Sequence, residues 1–313
     1  MSLLGYIAAA VGFYVFIYYT FLRRTRCKSL VKLYGKTAIV TGSNTGIGKA
    51  TALALAKRGA RVILACRSRG RADAAVYDIR RESGNQQVLF MALDLSSLQS
   101  VRDFVQTFLK TEPRLDFLIN NAGVTGEGRT REGFGLEFGV NHLGHFLLTL
   151  LLLDRLKQCA PSRIVTLASI AHYGGHIDFS LLDQTKDVVT ERKLLKRFWD
   201  YSTSKLCNML FTRELANRLE GTNVSCFSVH PGLVRTKLTR TMSGLLAAVL
   251  SKLFFLEPEE GAQTTLHCVL QEGLEPFSGR YFSNCALAQG SAKSRDDALA
   301  KKLWEVSERL VGI

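Results

Sequence analysis

From Lys36 onward the chain repeats one unit: a short run rich in β-branched residues, then a longer stretch with helical periodicity. The predicted strands are Thr37–Thr41, Arg61–Cys66, Gln87–Leu93, Phe117–Asn120, Arg163–Ser169, Val224–Val229 and Arg280–Phe282. Between them fall predicted helices over Gly46–Arg58, Ala72–Ser83, Ser97–Lys110, Gly135–Lys157, Tyr201–Glu220 and Pro258–Gln271, with a last one near Arg295–Val311 outside the sheet. Runs such as Ala38-Ile39-Val40 and Val62-Ile63-Leu64-Ala65 do not alternate apolar with polar residues. A strand that is apolar on both faces needs cover on both, and a parallel sheet flanked by helices supplies it. The pattern predicts an α/β doubly wound parallel sheet of about seven strands in a single domain, residues 36–313. At 313 residues and 47% hydrophobic content the chain has enough apolar material to fill such a core.

A different kind of segment precedes this domain. Leu3 to Leu22 carries no charge over twenty residues, the length that spans about 30 Å of hydrocarbon. Tyr18, Tyr19 and Phe21 sit near its end, where aromatic rings suit a membrane interface, and Arg23, Arg24, Arg26 and Lys28 follow. No positive residue precedes the run, and a cleaved signal peptide has a charged start and a shorter core. The reading is an uncleaved N-terminal anchor over 1–22 and a basic linker over 23–35, with a cleaved signal peptide as the alternative. The basic flank keeps the C-terminal side in the cytoplasm, which implies a membrane location, the endoplasmic reticulum being expected. Asn223-Val224-Ser225, the sole glycosylation sequon, is a test of that topology.

The formal net charge of +14 is unevenly placed. Thirteen Lys and Arg precede the first acidic residue, Asp73, whereas the remaining 28 nearly balance the 27 acids. Excess charge beside an apolar segment and in the first β-α unit argues for anionic lipid and a phosphorylated cofactor, with no nucleic-acid partner expected. The seven cysteines are scattered and form no C-x-x-C pair. That excludes a zinc site by spacing and predicts reduced thiols and no metal.

The turn after the first strand reads Gly42-Ser43-Asn44-Thr45-Gly46-Ile47-Gly48. Its glycines allow a tight turn and let backbone amides approach a pyrophosphate at a helix N-terminus. The second strand ends at Cys66-Arg67, with no acidic residue to hold a ribose 2′-hydroxyl. Arg67, with Ser43 or Asn44 nearby, suits a 2′-phosphate, so the expected cofactor is NADP(H). Arg69 and Arg71 read as a solvated basic loop. Asp94 either reaches an adenine amine or caps the helix that starts near Ser97. Asn121, Ala122 and Gly123 turn the chain beside the cofactor, and Pro231-Gly232 ends the sixth strand where a nicotinamide ring has room.

Tyr201 and Lys205 are spaced to share one face at the start of a helix. A phenol titrates near 10, too high for proton transfer near neutrality, and a nearby ammonium lowers it. Ser169 ends the fifth strand, on the side of the sheet where ligands lie, and Asn141 falls in a helix running beneath the same place.

Taken together, TGSNTGIG, NNAG, Asn141, Ser169, Tyr201-x-x-x-Lys205 and HPG, in that order, resemble the short-chain dehydrogenase/reductase family, a Rossmann-type fold. The anchor, the ACR turn and Ser278-Gly279-Arg280-Tyr281-Phe282 resemble its retinol dehydrogenase branch. The resemblance implies hydride transfer with a nicotinamide. It makes Tyr201 the acid/base, Ser169 the ligand of the substrate oxygen, Lys205 the tuning group that also binds ribose, and Asn141 the holder of a relay water. It implies a homodimer through the Gly135–Lys157 and Tyr201–Glu220 helices. The 32-residue separation of Ser169 and Tyr201, with a charged segment Lys186–Arg197, is longer than the family's usual spacing and bears on the substrate mouth. Leu245–Leu256 is apolar but for Lys252 and reads either as a substrate lid or as a core helix. The expected substrate is a small hydrophobic alcohol or carbonyl, retinol/retinal first. A steroid or other lipid carbonyl is the alternative, and a non-catalytic nucleotide-binding scaffold is the reading of another class.

Overall fold

The computed structural model describes residues 3–17, 25–179, 193–234 and 256–313. Helix α1 spans Leu3–Ile17. The sheet strands are β1 (Thr37–Thr41), β2 (Arg61–Cys66), β3 (Val88–Ala92), β4 (Phe117–Asn120), β5 (Ser162–Leu167), β6 (Val224–His230), β7 (Tyr281–Ser283) and β8 (Ala286–Ala288). The helices around them are α2 (Gly46–Ala56), α3 (Arg69–Ser83), α4 (Leu98–Thr111), α5 (Leu136–Phe138), α6 (Gly144–Gln158), α7 (Lys193–Arg218), α8 (Pro258–Gly261), α9 (Gln263–Leu270) and α10 (Asp297–Val311). The sheet order is β3-β2-β1-β4-β5-β6-β7-β8. Seven strands are parallel and β8 returns antiparallel against β7, so the doubly wound sheet has one short strand beyond the seven expected. Its three residues are too few to show an alternating pattern in the sequence.

Each inner strand feeds two cores. Ala38 and Val40 of β1 and Val62 and Leu64 of β2 face one side, where Leu55 of α2, Ile79 of α3 and Leu266 of α9 cover them. Ile39 and Ile63 face the other, against Phe104 of α4, Phe146 of α6 and Trp304 of α10. Every one of these side chains is buried. Full burial of an aliphatic or Phe side chain contributes about 1.5–3 kcal/mol, which explains why the runs are apolar on both faces.

Three helices differ from the sequence reading. The expected Gly135–Lys157 helix is interrupted by a π turn at Gly139–Leu143, where Gly144 N–H bonds the Gly139 carbonyl. Both glycines are pressed against neighbours: a Cβ on Gly139 would overlap Thr130, and one on Gly144 would lie 2.7 Å from the Leu95 carbonyl oxygen. The run Leu136–Gln158 is apolar and long enough to cross a bilayer, but it is 72% buried within the domain as a core helix. The helix expected to open at Tyr201 starts upstream, at Lys193, so Tyr201 lies inside α7. The expected Pro258–Gln271 helix is two pieces, α8 and α9. The last helix, α10, packs outside the sheet against α7, as expected. Of the Leu245–Leu256 stretch only Leu256 falls within the described residues, where it is buried and bridged to Val234. Most of the charged segment Lys186–Arg197 lies outside them.

Residues 25–35 form a strap across one face of the domain. Thr25 N–H bonds Asn284 Oδ1 at 2.8 Å, and Cys27 N–H bonds Gln263 Oε1 at 3.0 Å. Ser29 Oγ donates to the Leu270 carbonyl, Arg58 to the Ser29 carbonyl, and Leu33 N–H to the Arg58 carbonyl. Leu33 is buried in the core beneath α2 and α9. The strap thus carries the chain from the carboxyl edge of the sheet, at the β7–β8 turn, to the amino edge where β1 begins.

Candidate active site

The cofactor turn is built by backbone shape. Gly42 and Gly46 have φ of +64° and +58°, a region that favours glycine. A Cβ on Gly48 would overlap Asn121 Nδ2 and lie 2.7 Å from the Gly42 carbonyl oxygen. The α2 N-cap, Thr45, makes no side-chain cap bond, so the first-turn amides of Gly46, Ile47 and Gly48 have no side chain serving them. Such an end suits a pyrophosphate. The donor set and the tight glycine cradle therefore fit a dinucleotide.

Thr41, at the end of β1, ties this turn to the end of β4. Its Oγ1 accepts from Asn121 N–H and Ala122 N–H, each at 2.9 Å, and Asn121 Nδ2 donates to the Thr41 carbonyl at 2.8 Å. Gly123 borders the candidate catalytic cluster: a Cβ there would stand 3.5 Å from Lys205 Nζ and 3.7 Å from Asn141 Oδ1.

Two expectations for the adenosine end need correction. Ser43 does not face the space beside Arg67: it is buried, its Oγ donates to the Val40 carbonyl at 2.7 Å, and Cys66 Sγ lies 3.7 Å away. Its hydroxyl serves the turn. Asp94 does not cap a helix, because Ser97 is the N-cap of α4 and accepts from Ser100 N–H. Asp94 Oδ1 instead takes Ser96 N–H at 3.0 Å and Ser96 Oγ–H at 2.6 Å, an Asx turn that shapes the loop. Arg67 stands exposed past the end of β2, and Asn44 is half-exposed in the turn.

The Ser169 side chain reaches the Tyr201 hydroxyl and favours its ionised form. Ser169 sits two residues beyond β5, capping a 3₁₀ turn over Ile170–Gly174 through a bond from Ala171 N–H at 3.2 Å. Lys205 Nζ lies 5.6 Å from the Tyr201 ring centroid and donates to the Leu167 carbonyl at 3.0 Å. Burial pushes the Lys205 ammonium down to about 8. The phenol departs from expectation: burial raises the Tyr201 pKa and Ser169 only partly opposes it. The ammonium does not depress the phenol here because Lys205 is turned to the Leu167 carbonyl instead of the hydroxyl.

Asn141 lies in the π turn. Its Oδ1 accepts from Val124 N–H at 2.8 Å, and its Nδ2 donates to the Val124 carbonyl at 3.0 Å and to Ser204 Oγ at 2.9 Å. The side chain is thus committed to Val124 and Ser204. Pro231 and Gly232 follow β6 at the same edge, Gly232 at φ +88°.

Two histidines escaped the sequence reading. His145 Nδ1 bonds the Asn141 carbonyl at 3.0 Å and its Nε2 meets Thr41 Oγ1 at 2.9 Å. A carbonyl only accepts, which assigns the proton to Nδ1 and makes Nε2 the acceptor of the Thr41 hydroxyl. His145 thereby joins the cofactor turn to the π turn. His172 Nδ1 bonds the Ser169 carbonyl at 2.7 Å while its Nε2 accepts from Ser291 N–H at 3.1 Å, pinning the serine loop to the C-terminal segment. The spacing of Asn141-His142-Leu143-Gly144-His145 was the available signal for the first. For the second there was none, since Ser291 is 119 residues away.

Among the described residues no group of His, Cys, Asp or Glu is placed to hold a metal. A family profile described as short chain dehydrogenase matches residues 36–182. Dehydrogenase/reductase SDR family member 13 of Bos taurus is 53% identical over 315 residues, covering 99% of this chain and 82% of its own length. Retinol dehydrogenase 12 of Homo sapiens is 49% identical over 292 residues, covering 92% of this chain and 90% of its own. A crystal structure of an uncharacterised protein from Mycobacterium paratuberculosis matches with a TM-score of 0.74 at 32% identity, covering 93% of this chain and 98% of that one.

Proposed function

The chain belongs to the short-chain dehydrogenase/reductase family of nicotinamide-dependent oxidoreductases, and on that premise we propose that it is an NADP(H)-dependent, membrane-anchored enzyme interconverting a hydrophobic alcohol and its carbonyl, retinol and retinal first. The observation that carries the reading is the meeting of the Ser169 side chain and the Tyr201 hydroxyl at the carboxyl edge, with Lys205 behind the ring. A bound nicotinamide supplies or takes the hydride. In reduction, Ser169 Oγ donates a hydrogen bond to the substrate oxygen and fixes it beside Tyr201. Tyr201 gives its hydroxyl proton to that oxygen as charge develops there, and takes it back in oxidation. Lys205, held by the Leu167 carbonyl behind the ring, is placed to bind the ribose hydroxyls of the nicotinamide. Asn141, held by Val124 and Ser204 and backed by His145, keeps the π turn in register with this group.

Preference for the 2′-phosphate rests on Arg67, exposed where an acidic residue would exclude a phosphate. The anchor reading rests on Leu3–Leu22 and its basic flank, of which α1 describes the part to Ile17. A cytoplasmic domain sees abundant reduced NADP(H), so reduction is the expected direction. It also leaves Asn223, which is exposed, without a glycan.

The test is oxidation of NADPH and of NADH by the membrane-bound chain against retinal, a steroid ketone and aliphatic aldehydes. NADPH with retinal should give the highest kcat/KM, and Tyr201→Phe should lower kcat by about 10²- to 10⁴-fold, with dinucleotide binding retained. Turnover that survives Tyr201→Phe overturns the assignment, and a steroid outpacing retinal overturns the substrate.

A further inference from the structure

The strap decides how the domain meets its membrane. Thr25 N–H is bound to Asn284, and Cys285 Sγ donates to the Thr25 carbonyl at 3.1 Å. Asn284 follows Ser283, which is in register with His230 at the end of β6, and β6 lies next to β5, whose end leads to Ser169. The attachment point is therefore two strands from the catalytic serine, about 10 Å at the spacing of a sheet. Only seven residues separate Ile17, the last of α1, from Thr25. A chain of that length reaches at most about 28 Å, and the uncharged run that continues to Leu22 shortens the distance left to water.

The two edges of the sheet are dressed differently. The amino edge carries the ion pairs Lys36–Asp116, Arg61–Glu112 and Arg163–Glu275. The carboxyl edge exposes large apolar groups: Ile170 and Tyr173 beside the serine loop, Phe198 and Trp199 on the first turns of α7, and Leu233 after β6, each about half exposed. Phe198 and Trp199 form an edge-to-face pair, with ring centroids 5.8 Å apart, next to Gly174. Arg26 and Lys28, exposed on the strap, flank this edge with positive charge. Half-exposed aromatic rings on the edge to which a basic strap is tied match the headgroup layer of an anionic bilayer.

We propose that the carboxyl edge, led by Trp199 and Phe198, rests in the headgroup layer of the bilayer that holds α1, so that the catalytic cleft opens onto lipid and an apolar substrate reaches Tyr201 without crossing water. The inference rests on the anchor reading above, and the experiment separates the two. Full-length protein is reconstituted into vesicles of phosphatidylcholine and phosphatidylserine carrying bromine either high or low on the acyl chain. Flotation of the vesicles tests the anchor, and tryptophan quenching tests the face.

The chain has two tryptophans, one half-exposed at position 199 and one buried at 304. Shallow bromines should quench about half of the wild-type emission, deep bromines should quench less, and the Trp199→Phe protein should be insensitive to both. Protein that floats while its wild-type emission ignores shallow bromine overturns the docked face and leaves the anchor standing, and points to a second protein or a second copy of the chain as the occupant. Protein that does not float overturns both.

Discussion

The pair His142 and His145 makes the fold acid-sensitive in a calculable way. Both imidazoles are buried, and burial lowers their pKa values from 6.5 to about 3 and about 4. A base whose pKa is depressed by folding binds its proton more weakly in the native state, so the unfolded chain takes up more protons below 6.5. Stability is whole above that pH and is lost as pH falls, with a slope of about 1.4 kcal/mol per pH unit per histidine between the unfolded and folded values. Going from pH 8 to pH 5 therefore removes about 2 kcal/mol for each histidine, about 4 kcal/mol for the pair. His172 and His267, whose pKa values burial also lowers, add in the same direction. Glu137, raised by burial, opposes them. At about 2 °C per kcal/mol for a domain of this size, the melting temperature should fall by roughly 8 °C.

His142 isolates the cause. Ser307 Oγ spends its proton on the Leu303 carbonyl, so it accepts from His142 Nε2–H, and His142 Nδ1 is left with no partner. The ring lies among Phe138, Phe146 and Phe211 at centroid distances of 5.3, 5.8 and 6.0 Å. His142→Phe keeps the ring and removes the titration, so it should abolish about 2 kcal/mol of the acid loss and cost little at pH 8. Thermal unfolding of the full chain in detergent, followed by the fluorescence of Trp304 beside Phe146, measures both. Equal losses in wild type and His142→Phe between pH 8 and pH 5 would refute the reasoning.

Other perturbations bear on the site. Arg67→Asp should lower kcat/KM with NADPH by about 10- to 100-fold and improve it with NADH, since a charge-assisted bond to phosphate is replaced by repulsion; steady-state kinetics with each dinucleotide reads this, and an unchanged ratio removes the phosphate argument. Gly48→Ala should weaken dinucleotide binding and lower stability, because its methyl would drive into Asn121 Nδ2 and the Gly42 carbonyl oxygen; wild-type affinity by fluorescence titration contradicts that. Glu112→Gln should lower stability by roughly 3 kcal/mol, since it breaks a bidentate pair with Arg61 (2.6 and 2.7 Å) at a buried carboxylate; denaturant unfolding measures it.

The proposed catalytic quartet and the glycine turn were legible because their chemistry is written in short spacings and their strands in apolar runs. Asn141, Ser169, Tyr201 and Lys205 lie together because the loop after β5, the π turn and α7 meet at one edge of the sheet. What failed to show was whatever depended on a distant partner. Ser43 was available to a phosphate on paper, but the Val40 carbonyl takes its proton. Of the two local readings of Asp94, the helix cap went to Ser97 instead. The fall in the phenol pKa expected from Lys205 required a side-chain direction, and the Leu167 carbonyl set a different one. The π turn seats Gly139 and Gly144 against Thr130 and Leu95, contacts that helical periodicity does not record.

The sequence by itself determined that the sheet is parallel and covered on both faces, because burial on two sides demands apolar residues at every position of a strand. It determined which residues reach the candidate site, because connectivity sends the end of every parallel strand to that edge. It also placed an apolar segment ahead of β1, and β1 begins at the amino edge, so chain order alone would hang that segment from the edge opposite the site. Tertiary structure decided the reverse. Hydrogen bonds from Thr25, Cys27 and Ser29 to Asn284, Gln263 and Leu270 draw the strap along the domain to the carboxyl edge. Those partners lie more than 230 residues away in the chain, and no local propensity encodes a bond over that separation.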